Sequence, residues 1–564
     1  MHETDPFEPR SDADGEAAAS PNAPAEPTAD AATTAIPTPP GASAGPTEAT
    51  TIIPAAAADA IPSVAGAAHA ASGATHAAAA STTASRGAFG GVMTAIRRHP
   101  RAWIIAGATA AFVLLGGGAV ALGAANGRPA VASVALTTHT ATPTPTPTPT
   151  RPAPTPVPAA SKLRTCSVAS LAQDGRLGTL EAQVVNPTTG EVLFDRNGST
   201  PAATASVMKI LTAAAALAVL GPDDRISTTV VKGSAPGQVV LVGGGDVTLS
   251  RTSTGDDPFY TGAPHLDALA DQVKTAWAAD PANAGQPITS LVLDASLFGG
   301  PVWQPSWDEH EERVVEGSTS YITALQVDGD RDDPYALESP RSTDPIERAG
   351  QAFADDLGGN ISISQGTAPA GAAQLGVVQS QPVTALLSQA LTVSDNTIME
   401  MLARLVAIKT GAGNTFDAEN AGTLKGLAAY GIDTTGIHIA DGSGLSGDNR
   451  VPPSYLTRLM VKIMNGENGL GVIYDSLPVS GKSGTLGPGY GRFQGSSSAA
   501  VGAVNAKTGW IDHGYTLAGV VHAQDGTALT FAVFALGDVS DNAKSAIDAL
   551  TTGFFTCGNN LSNN

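Results

Sequence analysis

From Leu163 onward apolar residues recur with two periods, and the switches between them mark out elements. Leu180–Val185 and Glu191–Asp195 flank the turn Asn186-Pro187-Thr188-Thr189-Gly190 and read as a β-hairpin. A helix is predicted from near Thr204 to Gly221-Pro222, and a strongly amphipathic one from Ser394 through Met401 and Leu405. Ala499–Ala506 reads as a strand. A second hairpin (Tyr515–Ala523, turn Gln524-Asp525-Gly526, Thr527–Leu536) and a C-terminal helix follow it. Between these groups, 264–279 and 346–358 read as helices and 288–298 and 361–364 as strands.

Upstream the pattern is different. Residues 1–96 contain no Leu, Trp, Tyr, Lys or Cys. Without Leu they have little to build a core from, so a disordered cytoplasmic region is predicted. Ala102 to Ala125 is a run of 24 uncharged, mostly apolar residues, about 36 Å long as a helix, enough to cross a bilayer. Arg97, Arg98 and Arg101 precede it and Arg128 follows. A transmembrane signal-anchor over 97–128 is therefore expected, with the N-terminus cytoplasmic and the folded part beyond it extracellular at the cell membrane. A cleaved signal peptide and a buried soluble helix are the rivals. A Thr/Pro-rich stalk over 129–162, carrying the TPTPTPTPT run, is expected to be extended polyproline II.

Charge sharpens this division. The net charge of −21 separates into ten acids against two bases over 1–96, six bases and no acids over 97–162, and 22 bases against 41 acids beyond. The acidity and the lack of a Lys/Arg-rich run exclude a nucleic-acid partner. Two cysteines, Cys166 and Cys557, exclude a CxxC redox pair, a four-cysteine zinc site and an iron–sulfur cluster. They stand at the two ends of the folded part. In an exported compartment they are the natural disulfide pair, with two buried free thiols as the alternative. The ten histidines show no metal-ligand spacing. His310 among Asp308, Glu309, Glu311 and Glu312 reads as a solvated acidic loop, and neither metal nor cofactor is expected.

Three short constellations carry chemistry. Ser206 and Lys209 stand i, i+3 at the start of a predicted helix, so a desolvated lysine amine lies beside a hydroxyl it can activate. A helix cap is the plainer reading of that serine. Ser394-Asp395-Asn396 opens the amphipathic helix through Met401 and Leu405, either as its cap or as a second hydroxyl with a side-chain amide for a substrate carbonyl. Lys507-Thr508-Gly509 ends the strand Ala499–Ala506, where a cation and hydroxyl suit a substrate carboxylate and glycine admits a close backbone approach. Ser540-Asp541-Asn542 repeats the second motif but precedes the terminal helix and reads as its cap. Lys482-Ser483-Gly484 imitates the third, yet its flank Leu486-Gly487-Pro488-Gly489 is loop-like.

In this order SxxK, SDN and KTG mark penicillin-interacting serine enzymes. Over nearly all of 163–558 the chain resembles the serine D-alanyl-D-alanine carboxypeptidase/endopeptidase family that includes penicillin-binding protein 4. Similar stretches are Val239–Asp246, Ala324–Gly329, Asp441–Ser446 and Leu477–Gly481. The departure is Trp510, where the family usually has a small hydroxyl residue.

The resemblance implies an α/β (α+β) transpeptidase- and β-lactamase-like domain, an antiparallel sheet flanked by helices, over 163–222 and 386–558. A large inserted domain over 223–385 interrupts it. It also implies catalytic roles for Ser206, Lys209, Ser394, Asn396 and Lys507, and substrate binding by Asp395, Thr508, Gly509 and Trp510. The substrates are peptidoglycan stem peptides ending in D-Ala-D-Ala, with β-lactams as inhibitors and cross-link endopeptidase action as a further activity. A β-lactamase, and a non-catalytic wall-binding or β-lactam-sensing module, are the competing readings.

Overall fold

A computed structural model describes residues 163–564. The disordered region over 1–96, the signal-anchor over 97–128 and the stalk over 129–162 lie outside the described residues. Among the described residues no helix is long and apolar enough to cross a membrane.

The first hairpin forms as β1 (Thr179–Asn186) and β2 (Glu191–Arg196). The last three strands are β8 (Val504–Ile511), β9 (Gly514–His522) and β10 (Ala528–Leu536). They assemble as one sheet in the order β2-β1-β10-β9-β8, antiparallel throughout. The two ends of the folded chain thus meet in its middle, through the β1–β10 pair. Successive residues of β9 and β10 enter opposite cores. Ala518, Val520, Ala532 and Phe534 face one; Leu517, Val521, Phe531 and Val533 face the other. A sheet covered on both faces has no polar alternation, and these strands read as continuous apolar runs.

One cover is α1 (Met208–Val219), α4 (Val383–Val393), α5 (Asn396–Lys409), α6 (Asp417–Leu427) and α7 (Pro453–Met464). The other is α8 (Asn542–Cys557). Helix α1 is buried on nearly all sides. Its Ala-rich sequence lets α6 approach closely enough that a Cβ on Gly426 would touch Ala215.

Between α1 and α4 the chain builds a second, mixed sheet. It comprises β3 (Ser227–Lys232), β4 (Gln238–Val242), β5 (Ser290–Asp294), β6 (Ser362–Gln365) and β7 (Gln374–Gln379), in the order β6-β5-β4-β3-β7. The β4–β5 and β5–β6 pairs are parallel. Helices α2 (Leu266–Ala279) and α3 (Pro345–Leu357) close its core around Trp277 and Phe353.

One boundary moves. The strand expected over Ala499–Ala506 begins at Val504 and runs through KTG to Ile511, while Gly495–Ala500 coils into short helical turns. Lys507 therefore lies inside a strand, not at its end.

Candidate active site

The serine of SxxK sits where a tight turn enters α1. Ala205 takes a left-handed backbone, φ +46°, a conformation costing a residue with a Cβ of order 1 kcal/mol or more, one that persists where surroundings enforce it. One source of enforcement is Gly444, φ +89°, where a Cβ would collide with the Ala205 carbonyl. Lys209, fully buried, directs its Nζ to three oxygens: Ser206 Oγ at 2.9 Å, Asn396 Oδ1 at 2.6 Å and the Ser443 carbonyl at 2.7 Å. Burial lowers its pKa to about 8, against the opposing charges of Asp441, Glu400 and Asp395.

The three residues of SDN point in different directions. Ser394 ends α4 in a left-handed conformation, φ +67° and ψ +36°, and its Oγ accepts from Lys507 Nζ at 2.8 Å. Asn396 faces the cleft, and its amide also donates to the Ser318 carbonyl of the insertion at 3.3 Å. Asp395, expected among the substrate-binding residues, turns away. It caps α5 by accepting from Ile398 N–H at 2.8 Å, and its other oxygen meets Arg331 at 2.9 Å and Tyr260 Oη at 3.2 Å. Asp395 supplies the helix cap, while Ser394 and Asn396 are the residues turned to the cleft.

Strand β8 forms the opposite wall. The Lys507 amine is fully buried and also donates to the Thr508 carbonyl at 2.9 Å. Burial and the nearby Lys209 hold its pKa well below the ordinary lysine range. Thr508 shares a 2.7 Å hydrogen bond with Thr485. Gly509 passes so close to Ser206 that a Cβ there would lie 2.9 Å from Ser206 N. Trp510 lies half exposed along the same cleft. The look-alike Lys482-Ser483-Gly484 sits in a turn where the Ser483 hydroxyl accepts from Val479 N–H, and Ser540-Asp541-Asn542 leads into α8.

Ser206, Ser394, Asn396, Thr508, Gly509 and Trp510 line one cleft of about 550 Å³. The D-Ala-D-Ala carboxypeptidase 3 (S13) family matches the chain over residues 164–336 and 323–554. The chain belongs to this family. It is a serine-type D-Ala-D-Ala peptidase. Carboxypeptidase Rv3627c of Mycobacterium tuberculosis is 37% identical over 400 residues, 70% of this chain and 84% of the relative. The crystal structure of penicillin-binding protein 4 (DacB) from Haemophilus influenzae has the same fold, with TM-score 0.56 at 20% identity, covering 69% of this chain and 98% of that one. The same protein complexed with a novel β-lactam gives 0.51 at 21%, covering 68% and 98%.

Two parts of this peptidase site escaped the sequence reading. The acidic stretch around His310 is not simply solvated. Asp308, Glu311, Glu312 and Glu316 line the cleft, and burial pushes Glu312 up to about 8. The Asp441–Ser446 stretch supplies the third partner of Lys209 through a backbone carbonyl, a role no side-chain pattern announces. Asp441 holds that loop, accepting from Gly444 N–H, Ser446 N–H, Trp307 Nε1 and Asn449 Nδ2. Among the described residues no three His, Cys, Asp or Glu side chains converge as metal ligands.

Proposed function

We propose that Ser206 is the nucleophile and Lys209 its base, in a carboxypeptidase acting on peptidoglycan stem peptides that end in D-Ala-D-Ala. The observation that carries this reading is the three-oxygen environment of the Lys209 amine. A neutral amine has two protons and one lone pair. It donates to Asn396 and to the Ser443 carbonyl, and its lone pair is left for the Ser206 hydroxyl.

In the first step Ser206 Oγ bonds to the carbonyl between the two D-alanines while its proton passes to Lys209. The amides of Ser206 and Trp510 receive the oxyanion, each contributing about 3–4 kcal/mol as such donors do elsewhere. The carbon–nitrogen bond then breaks, and Ser394 relays a proton to the leaving amine. Asn396 orients the acyl chain. The terminal carboxylate is held by Thr508 and Lys507; its arrival supplies the counter-charge that a buried Lys507 lacks and favours the ammonium form. Water attacks the ester and frees Ser206. β-Lactams acylate the same serine. Cross-linked peptides presenting the same D-Ala carbonyl are substrates for endopeptidase action at this site.

The enzyme is held at the cell membrane by residues 97–128 with its catalytic part outside, where the peptidoglycan lies and where a Cys166–Cys557 disulfide is stable. Labelling by a fluorescent penicillin tests the nucleophile. It is expected to vanish in Ser206→Ala and persist in Ser540→Ala; labelling that survives the first change refutes the assignment. Incubation with defined muropeptides, read by mass, distinguishes loss of one D-alanine from cleavage of a cross-link. Rapid penicillin turnover would instead indicate a β-lactamase.

A further inference from the structure

Behind Lys209 lies a second layer of ionisable groups that the acyl-transfer scheme does not use. Glu400 and Arg404 on α5 and Glu419 on α6 are each fully buried. Glu400 accepts from Gly442 N–H at 3.2 Å and from Ser443 N–H at 2.6 Å. It is the Ser443 carbonyl that accepts from Lys209 at 2.7 Å. One peptide unit on either side of Ser443 thus connects a buried carboxylate to the base.

Glu419 is differently placed. Among the described residues neither of its oxygens receives a hydrogen bond from an N–H or hydroxyl, and its ion-pair partner, Arg404 Nε at 3.2 Å, lies outside hydrogen-bonding geometry. The Arg404 Nη groups are occupied by the carbonyls of Gly299, Pro301 and Asn414. Glu400 lies beside the Glu419 carboxyl, and Asp441 faces it as well. A buried carboxylate without donors is costly, whereas a carboxylic acid donating to an adjacent carboxylate satisfies both groups.

Other charges face this layer. Asp441 faces Lys209, Glu400 and Glu419 from its loop, Asp395 faces Lys209 from the start of α5, and Lys507 faces Lys209 from β8. Asp417 on α6 faces Arg404, and Glu312 of the insertion faces Asp441.

We infer that Glu400 and Glu419 hold a single proton, carried by Glu419, and that the anion on Glu400 is a positioning group that fixes the Ser443 peptide and sets the basicity of Lys209. The inference rests on Lys209 being the base. Burial raises both glutamates, Glu400 to about 8 and Glu419 well above the usual carboxylate range; two backbone N–H groups bond to Glu400 and none to Glu419, so Glu400 is the member that ionises first, at the pH where Lys209 becomes neutral.

The test is the acylation rate of the full-length protein with fluorescent penicillin across pH. In Glu400→Gln the anion that forms beside Lys209 near pH 8 is lost, and the acid limb is expected to move to lower pH by up to about one unit. In Glu419→Gln a neutral donor replaces a neutral donor, and the limb stays in place. The infrared absorption of protonated buried carboxyls, to which Glu312 also contributes below about pH 8, is expected to lose its Glu419 component in Glu419→Gln. An unmoved limb in Glu400→Gln, an equal shift in both variants, or no component lost in Glu419→Gln would overturn the inference. If Glu400→Gln does not fold, the infrared comparison still decides. Labelling that persists in Ser206→Ala would remove the underlying reading instead.

Discussion

Arg331 Nη2 lies 2.9 Å from Asp395 Oδ2, with side-chain exposures of 1% and 2%. The guanidinium also sits over the rings of Phe259 and Tyr260, at 4.3 and 4.5 Å from their centroids. The arginine belongs to the insertion and the aspartate to the SDN motif, between Ser394 and Asn396. The insertion therefore braces the turn that presents both cleft-facing residues of that motif.

Removing Arg331 leaves a carboxylate buried without its partner. Arg331→Leu is expected to lose about 3–5 kcal/mol of stability, the usual result of breaking a buried pair from one side. Penicillin acylation should slow as well, since Ser394 and Asn396 lose their fixed positions. Adding Asp395→Asn, which keeps the helix cap, should recover a substantial part of the stability loss. Urea unfolding of the two single variants and the double variant measures this, and strict additivity would show that the pair is not coupled.

The acylation rate should fall tenfold per unit as pH drops below about 8, the pKa to which burial lowers Lys209. The sign follows from the proposed role: a base must be unprotonated, and below its pKa the neutral fraction declines. The same lowered pKa bears on stability. The folded state disfavours the ammonium, so this penalty is fully present below about 8 and is relieved as pH rises towards the ordinary lysine value. Acylation rates with a neutral β-lactam chromophore, across pH, check the first statement. Lys209→Met should abolish the dependence together with the activity.

Much of this site was readable because SxxK, SDN and KTG are short runs whose spacing reflects one turn of helix or one strand edge. What stayed hidden has physical reasons. Asp395 stands between two cleft residues, but a left-handed Ser394 rotates the chain so that Asp395 faces inward. Glu400 occupies an apolar-flanked face of α5 between Met399 and Met401, and nothing in that run announces a partner on α6. The β8 boundary was misplaced because Ser497-Ser498-Ala499-Ala500 is neutral between helix, strand and turn. The Glu311–Val315 turn looks like solvated surface until its place at the cleft is known.

Gly509 and Trp510 should separate backbone from side-chain function on β8. A Cβ at Gly509 would meet Ser206 N and the Thr516 hydroxyl. Gly509→Ala is therefore expected to reduce acylation by at least about a hundredfold, the scale of losing one oxyanion donor. Trp510 is 47% exposed, and its proposed contribution to the oxyanion is an amide that any residue supplies. Trp510→Ala should leave stability within about 0.5 kcal/mol and kcat nearly unchanged, with KM for the peptide altered. A large fall in kcat for Trp510→Ala would mean that the indole acts in the chemical step.

The cross-link at the other end of the fold should matter for stability and not for catalysis. Cys166 and Cys557 pair across 391 positions, next to a backbone bridge in which Cys166 N–H donates to the Asn560 carbonyl and Ser562 N–H to the Cys166 carbonyl. Cys557 ends α8, in the core on the face of the sheet away from α1. Closing so long a loop is worth about 6 kcal/mol in the chain-entropy account. Cys557→Ser should therefore lower the unfolding free energy by up to that amount, while the acylation rate, measured well below the unfolding transition, stays within about twofold. Denatured, unreduced protein should show no reactive thiol, and reduced protein two. Thiols that react before reduction would mean that the chain ends are held by the backbone bridge and the α8 core alone, and the stability difference should then vanish.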